Sequence, residues 1–172
     1  MEAPDRETLV VPSPIGPLTL TAEAGALTAI DFGAPAGYAD GASDGASAGV
    51  APAPPADAVL LEAVKQLAAY FAGERREFDL PLRPRGTPFQ LTVWEALRRI
   101  PYGETVTYGE LAAGVGRPTA ARAVGSANHH NPLAIVVPCH RVIGADGTLT
   151  GYAGGLATKA ALLDLESGDG RS

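Results

Sequence analysis

Between residues 87 and 128 the sequence marks the beginnings and ends of three short helices, and this pattern constrains the fold most. Thr87-Pro88-Phe89-Gln90 places Thr at an N-cap, Pro at the first helical position and Gln three residues after the cap. This predicts a helix to about Arg99. Thr107-Tyr108-Gly109-Glu110 repeats the capping box and predicts a second helix that ends at Gly116. A third helix is predicted over 119–128.

The second and third helices are joined by a tight turn that contains glycine, which is the arrangement of a helix-turn-helix. Small side chains dominate the third helix and would let its backbone approach a DNA duplex closely. They are Ala120, Ala121, Ala123, Gly125, Ser126 and Ala127. A helix of small residues can equally be packed tightly inside a core, and both interpretations stay open at this point.

The N-terminal third of the chain predicts strands. Polar and apolar residues alternate at 18–21 and at 27–30, with Ala24-Gly25 between them, which indicates a β-meander within residues 8–32. Residues 34–56 are almost entirely Gly, Ala, Ser, Pro and Asp with few large apolar groups, so we expect a disordered loop there.

A helix over 58–72, capped by Asp57 and stopped by Gly73, is predicted after this loop. Its predicted apolar face consists of Leu60, Leu61, Val64, Leu67, Ala68 and Phe71. A short strand is expected near Phe78 to Leu82.

Arg83-Pro84-Arg85-Gly86 is typical of a linker and predicts a domain boundary near residue 85. Residues 1–85 would form an N-terminal α/β domain, 86–168 a mostly helical C-terminal domain that closes with a helix over 157–166, and 169–172 a tail. The predicted fold class is therefore α+β.

The net charge of −6 is distributed unevenly. Residues 1–82 carry a net −8, residues 83–141 a net +4 with seven arginines, and residues 142–172 a net −2. A local basic face can bind phosphate groups on an acidic protein, although these arginines can also be ordinary solvated surface. No run of about 18 apolar residues occurs, so we expect no membrane span.

Cys139 is the only cysteine, and it is followed directly by His140 and Arg141. A lone cysteine forms no internal disulfide and cannot build a zinc site by itself. It is either an inert buried thiol or a nucleophile, and the neighbouring base and cation favour the nucleophile because they lower a thiol pKa. A free cysteine without a recognisable export signal also suggests the reducing cytoplasm.

The sequence around Cys139 resembles the active-site signature of the 6-O-alkylguanine-DNA alkyltransferases. The similarity covers nearly all of residues 87–166 in order and spacing. The motifs that carry it are Thr87-Pro88-Phe89-Gln90, Val93-Trp94, Ile100-Pro101-Tyr102-Gly103, Thr107-Tyr108, Ala121-Arg122-Ala123-Val124-Gly125, Asn131-Pro132, Pro138-Cys139-His140-Arg141-Val142 and Gly151-Tyr152-Ala153-Gly154-Gly155-Leu156. The resemblance implies a ribonuclease H-like N-terminal domain and a winged-helix-type DNA-binding domain.

The resemblance also implies a role for each site residue. Cys139 would be the nucleophile, His140 would take its proton through a water, and Glu166 would orient the imidazole. Tyr108 would bind guanine and donate a proton to the departing base, and Asn131 would be the hinge between helix and active-site segment.

Arg122 would take the place of a base flipped out of the duplex, with its helix in the minor groove. Further DNA contacts are expected from Thr119, Ala121, Ala123, Gly125, Ser126 and Tyr108. The base pocket would be formed by Pro138, Val142, Tyr152, Ala153 and Gly154.

The implied function is DNA repair by direct damage reversal: one irreversible transfer of an alkyl group from guanine O6 in duplex DNA to Cys139. No cofactor and no metal are expected, and residues 1–128 contain neither Cys nor His. A monomer is expected. Thymine O4 as a second target, the range of alkyl groups and cooperative DNA binding stay open. The alternatives are a non-catalytic lesion-binding protein, a Cys–His hydrolase and a helix-turn-helix transcription regulator.

Overall fold

The computed structural model describes residues 6–34, 58–149, 152 and 154–167. Most of the loop expected at 34–56, together with the predicted cap Asp57 and the tail 169–172, lies outside these residues. The described chain is a mixed α+β structure, as the sequence predicts. In the described ranges, no helix has the length and apolar character needed to cross a membrane.

The N-terminal sheet is an antiparallel meander of three strands in sequence order. The strands are β1 (Arg6–Val11), β2 (Leu18–Glu23) and β3 (Ala26–Phe32). The turn between β2 and β3 has positive φ at both Ala24 (50°) and Gly25 (81°). That geometry matches the right-handed twist of a two-residue hairpin, so the predicted meander and its turn are confirmed.

Helix α1 (Ala58–Phe71) packs on this sheet, but with a different face from the predicted one. Its buried residues are Leu60, Ala63, Gln66, Leu67 and Tyr70, whereas Leu61 is 44% exposed and Ala68 is also exposed. The face is rotated because it buries two residues with polar ends, Gln66 and Tyr70, that find hydrogen-bond partners inside the protein. Gly73, with φ +79°, follows the helix end as predicted.

The prediction of a short strand near Phe78 to Leu82 is wrong. Leu82 forms only an isolated parallel bridge with Leu27. The rest of the segment is held by the side chain of Gln66, whose Oε1 accepts from the backbone N–H of Asp79 at 2.8 Å and whose Nε2 donates to the Asp79 carbonyl at 3.1 Å. Side-chain hydrogen bonds therefore replace a strand ladder here.

Both predicted capping boxes are present. Thr87 caps α2 (Pro88–Leu97), with its hydroxyl accepting from Gln90 N–H at 3.1 Å and the Gln90 side chain accepting from Thr87 N–H at 2.9 Å. Thr107 caps α3 (Tyr108–Gly114) in the same way, through Glu110.

Helix α4 (Ala121–His129) begins two residues later than predicted. Its N-cap is Ala120, which has no side chain that could accept a hydrogen bond, so Thr119 does not cap it. The link from α3 to α4 is consequently longer than the tight turn of the prediction. The pair still packs as a helix-turn-helix, and Trp94 of α2 fixes α4 by donating to the Ala127 carbonyl at 2.8 Å.

A two-stranded parallel sheet, not predicted from the sequence, joins β4 (Val106–Thr107) to β5 (Val142–Ile143). It ties the start of α3 to the residues that follow Cys139. Helix α5 (Leu156–Ser167) then closes the fold, close to the predicted range. One continuous cluster of buried apolar residues runs through both halves of the chain, and the boundary near residue 85 stays a prediction.

The first capping box gives a direct test of local stability. Thr87→Ala should lower the free energy of unfolding by about 1 kcal/mol, because an N-cap acceptor is lost. Urea denaturation measures the change. Thr92→Ala, at an exposed position of the same helix and without a capping role, is the control and should have little effect. Equal effects of the two substitutions would contradict the assigned role of Thr87.

Candidate active site

Cys139 begins a 3₁₀ turn, Cys139–Arg141, after a buried apolar segment. Residues 133–137 make short-range turns, among them Val137 N–H to the Leu133 carbonyl at 2.8 Å. Ile135 has φ +74°, a conformation that is unusual for a β-branched residue. The thiol is therefore presented by a tightly folded, nearly inaccessible segment, and Cys139 itself is 6% exposed.

The carboxylate of Glu166, on α5, binds the two residues that follow Cys139. Its Oε2 accepts from His140 Nε2 at 2.7 Å and from the Arg141 guanidinium at 2.9 Å, and its Oε1 accepts from Arg141 Nε at 2.7 Å. Tyr70 of α1 donates to the same Oε2 at 2.5 Å. All four side chains are buried. The structure thus brings together His140 and Glu166, as the sequence predicts.

These contacts decide the charge of each member. Burial alone would raise the pKa of Glu166, but the hydrogen bonds from His140, Arg141 and Tyr70 outweigh it and lower this pKa to about 2. Burial lowers the pKa of His140, and the Glu166 carboxylate only partly offsets this. At neutral pH the site therefore holds an ionised carboxylate and a neutral imidazole. His140 Nδ1 is buried and has no hydrogen-bond partner among the described residues.

The expectation of a lowered thiol pKa at Cys139 is wrong for this structure. Burial raises the pKa of Cys139, and neither a hydrogen bond from the Asn131 side chain nor the positive charge of Lys159 outweighs burial. His140 Nε2 and the Arg141 guanidinium are hydrogen-bonded to Glu166, so the positive charge of Arg141 is paired with that carboxylate. In this state Cys139 is a neutral thiol.

Asn131 holds the segment that leads to Cys139. Its Oδ1 accepts from Leu133 N–H at 2.9 Å and its Nδ2 donates to the Val137 carbonyl at 2.8 Å. Both ends of the buried segment are thus bound to one amide side chain. Asn128 adds a weaker bond, from its Nδ2 to the Cys139 carbonyl at 3.4 Å.

The predicted base-pocket residues are placed only in part. Pro138, Val142 and Tyr152 are buried around Cys139, and the Tyr152 phenol faces the thiol. Burial, with the nearby thiol, raises the pKa of Tyr152, so the phenol stays protonated. Gly154 lies against the ring of Phe32, where an added Cβ would approach to 3.0 Å. Ala153 lies outside the described residues.

The predicted DNA-contact residues share one face of the helix-turn-helix. Thr119, Arg122, Ala123 and Ser126 are exposed, while Ala121 and Gly125 are half-buried. Val124 and Ala127 form the opposite, buried face of α4. The ring of Tyr108 packs against Gly125, where a Cβ would meet it at about 3.6 Å. A Cβ at position 125 would therefore make an ordinary van der Waals contact with this ring.

Both halves of the chain match one protein family. Residues 88–168 match the 6-O-methylguanine DNA methyltransferase DNA binding domain, and residues 8–84 match the 6-O-methylguanine DNA methyltransferase ribonuclease-like domain. The chain belongs to the 6-O-methylguanine DNA methyltransferase family.

Individual relatives agree with this membership. A methylated-DNA–protein-cysteine methyltransferase from Mycobacterium bovis is 53% identical over 156 residues, covering 91% of this chain and 89% of the relative. One from Methanosarcina acetivorans is 65% identical over 105 residues, which is 61% of this chain and 67% of the relative.

Solved structures of methyltransferases are similar over almost the whole chain. The O6-methylguanine methyltransferase of Mycobacterium tuberculosis has a TM-score of 0.79 at 50% identity and covers 96% of this chain and 94% of its own. A crystal structure of Mycobacterium tuberculosis OGT in complex with DNA has a TM-score of 0.77 at 51% identity, with 93% and 92% covered.

Sequence reasoning missed four residues of this methyltransferase-type site. They are Tyr70, Asn128, Arg141 as the partner of Glu166, and Lys159, which is fully buried with its Nζ 6.0 Å from the centre of the Tyr152 ring. Lys159 carried a signal, because it interrupts the apolar side of α5. Tyr70 carried none, since its partner is 96 residues away. No cluster that could hold a metal ion occurs in the described part of the chain.

The Glu166 contacts predict a pH dependence of stability. The folded pKa of about 2 lies below the ordinary 4.5, so Glu166 adds stability above pH 4.5, and this stability is lost as the pH falls toward 2. Glu166→Gln should be less stable at neutral pH and should lose less stability over that acidic interval, as measured by urea denaturation. Glu95→Gln, which removes an exposed carboxylate near Arg98, is the control. Parallel pH curves for wild type and Glu166→Gln would refute this assignment.

Proposed function

We propose that this protein repairs DNA by transferring an alkyl group, typically methyl, from guanine O6 to Cys139. The observation that carries the proposal is the buried chain from Glu166 to His140 beside the single thiol, in a fold shared with named methyltransferases. In the reaction the bond from guanine O6 to the alkyl carbon breaks and a sulfur–carbon bond forms. The electron pair of the broken bond stays on the base.

The proton of the thiol goes to His140. The imidazole is neutral and its Nε2 donates to Glu166, so Nδ1 is left to accept the proton. The family resemblance implies that a water carries the proton from the thiol to Nδ1. The imidazolium that forms is stabilised by the ionised Glu166 carboxylate. Since burial raises the pKa of Cys139, we propose that the thiolate forms only when substrate is bound. Tyr108 then supplies a proton to the departing guanine.

The product is a thioether at Cys139, and water does not cleave a thioether as it cleaves the thioester of a hydrolase. We therefore propose that each molecule acts once. One chain carries every residue of the proposed site, so a monomer suffices. The free thiol requires a reducing compartment, and we propose that the protein acts in the cytoplasm.

The buried thiol makes base flipping necessary, because a guanine stacked in a duplex cannot reach the sulfur of a cysteine that is only 6% exposed. We propose that the exposed face of α4 lies in the minor groove and that Arg122 takes the place of the extruded base. The small residues Ala123 and Ser126 on the same face favour a close approach. Asn131 would act as the hinge, and Ala153 would donate its backbone N–H to guanine O6.

Stoichiometric transfer is the decisive test. Incubation with duplex DNA containing 6-O-methylguanine should add one methyl group per protein, about 14 Da in the intact mass, on the peptide that contains Cys139. Cys139→Ala should gain no mass and should still bind the DNA. Many turnovers by a small amount of protein would indicate a hydrolase, and binding without mass gain by wild type would indicate a lesion-binding protein.

Substitution of Arg122 distinguishes the base-flipping step from the alkyl-transfer step. Arg122→Ala should slow repair of duplex DNA at least about tenfold more than it slows the reaction with the free base 6-O-benzylguanine, which needs no flipping. Rapid-quench rates on both substrates measure this. Arg6→Ala removes the same charge from β1 and is the control. If Arg122→Ala slowed both substrates equally, Arg122 would serve the pocket or the fold instead.

A further inference from the structure

The N-terminal part of the chain carries none of the reacting groups of the proposed reaction, yet two of its described residues make hydrogen bonds to the site. Ile30 of β3 donates its N–H to the carbonyl of Pro132 at 2.8 Å, beside the hinge Asn131. Tyr70 of α1 donates its hydroxyl to Glu166. Glu166, the acceptor of the second contact, is also hydrogen-bonded to His140, the residue proposed to take the thiol proton.

The Tyr70 hydroxyl and His140 Nε2 share one acceptor. They lie 2.5 Å and 2.7 Å from the same oxygen, Oε2 of Glu166. Tyr70 is fully buried, and its ring is packed edge-on against Phe71 and Tyr102, at centroid distances of 5.3 Å and 6.2 Å. The phenol therefore has a fixed direction and cannot exchange this acceptor for water.

We propose that Tyr70 is a positioning residue of the alkyl-transfer relay: its phenol fixes the Glu166 carboxylate and limits how strongly that carboxylate attracts the proton of His140. This inference rests on the proposed function. It assigns the N-terminal domain a part in the chemistry, since the Glu166 carboxylate that orients His140 is itself hydrogen-bonded to Tyr70 of α1.

The electrostatic surroundings allow this effect to be isolated. On the described elements, the other charged and titratable groups that face Tyr70, Glu166 and His140 are Arg141, Lys159, Tyr102 and Tyr152, besides Cys139, which precedes His140 in the 3₁₀ turn. Tyr70→Phe removes one neutral donor and leaves all of these groups in place. A change in the titration of His140 would then report the lost hydrogen bond.

The direction of the change follows from the shared oxygen. Without the phenol the Oε2 atom is a stronger acceptor, so it attracts the His140 proton more strongly and the imidazole becomes easier to protonate. The transfer rate needs neutral His140 and falls as acid protonates it. The acidic limb of the rate profile should therefore move to higher pH, by about half a unit.

The primary experiment measures the rate of methyl transfer from methylated duplex DNA as a function of pH. Tyr70→Phe is compared with wild type and with Tyr102→Phe, which removes a neighbouring phenol that donates to the Leu165 carbonyl at 3.4 Å and not to Glu166. Tyr70→Phe should show the upward shift, with unchanged DNA affinity, and Tyr102→Phe should follow wild type. Thermal melting identifies a variant that does not fold.

Two further measurements complement this experiment: the first does not use Tyr70→Phe, and the second does not require the reaction. Replacing Tyr70 by 3-fluorotyrosine makes the phenol more acidic and a stronger donor without changing its shape greatly, so the limb should move to lower pH. The same replacement at Tyr102 is the control. In the Cys139→Ala background, where no alkyl transfer occurs, NMR titration of the His140 ring should show the same directions of change. The titration should move to higher pH with Tyr70→Phe and to lower pH with 3-fluorotyrosine at position 70.

The outcomes are distinguishable. A wild-type protein that gains no methyl group refutes the proposed function, while the NMR titration still decides the role of Tyr70. Normal transfer with unshifted His140 titration in both the phenylalanine and the fluorotyrosine proteins refutes the inference. If Tyr70→Phe does not fold, the fluorotyrosine protein decides: an unshifted limb overturns the proposal, and a downward limb supports it.

Discussion

The buried carboxylate of Glu166 is the group on which the rest of the site depends. Taking a charge out of water is costly unless it is paired and fully hydrogen-bonded, and removing one partner of such a group is strongly destabilising. Glu166, on α5, accepts four such contacts from two other parts of the chain: one from α1 and three from the 3₁₀ turn. One acidic side chain thus fixes the turn that presents Cys139 and joins it to the N-terminal domain.

Burial of the site also explains why the Cys139 thiol is protonated and unreactive before substrate binds. A thiolate surrounded by apolar groups is unfavourable, so Cys139 is held as a neutral thiol, and a neutral His140 stands ready to accept its proton. For a protein proposed to react once, an unreactive resting thiol protects its single nucleophile from oxidation and from other electrophiles. Activation then has to come from the bound base, from the lost water and from the Glu166 carboxylate.

Local chemistry could be predicted from the sequence, and distant pairing could not. The capping boxes at Thr87 and Thr107 are confirmed because each needs only four consecutive residues. The predicted strand near Phe78 and the predicted face of α1 failed for a common reason: Gln66 and Tyr70 are buried for the partners they meet elsewhere in the fold. The motif at Cys139 predicts the nucleophile, but the direction of the pKa shift of this thiol depends on burial, which neighbours in sequence do not reveal.

In the C-terminal half, the surface proposed for DNA binding is exposed, whereas the reactive thiol is buried. The exposed face of α4, around Arg122, is the face proposed to contact DNA, whereas the thiol lies behind a closed segment that Asn131 holds at both ends. A base that remained stacked would never meet the sulfur. In the proposed function, Arg122 as the displacing residue and Asn131 as the hinge therefore act before the chemistry begins. Since Pro132, next to the hinge, and Glu166 are both held from the N-terminal part, that part can influence entry of the base as well as its reaction.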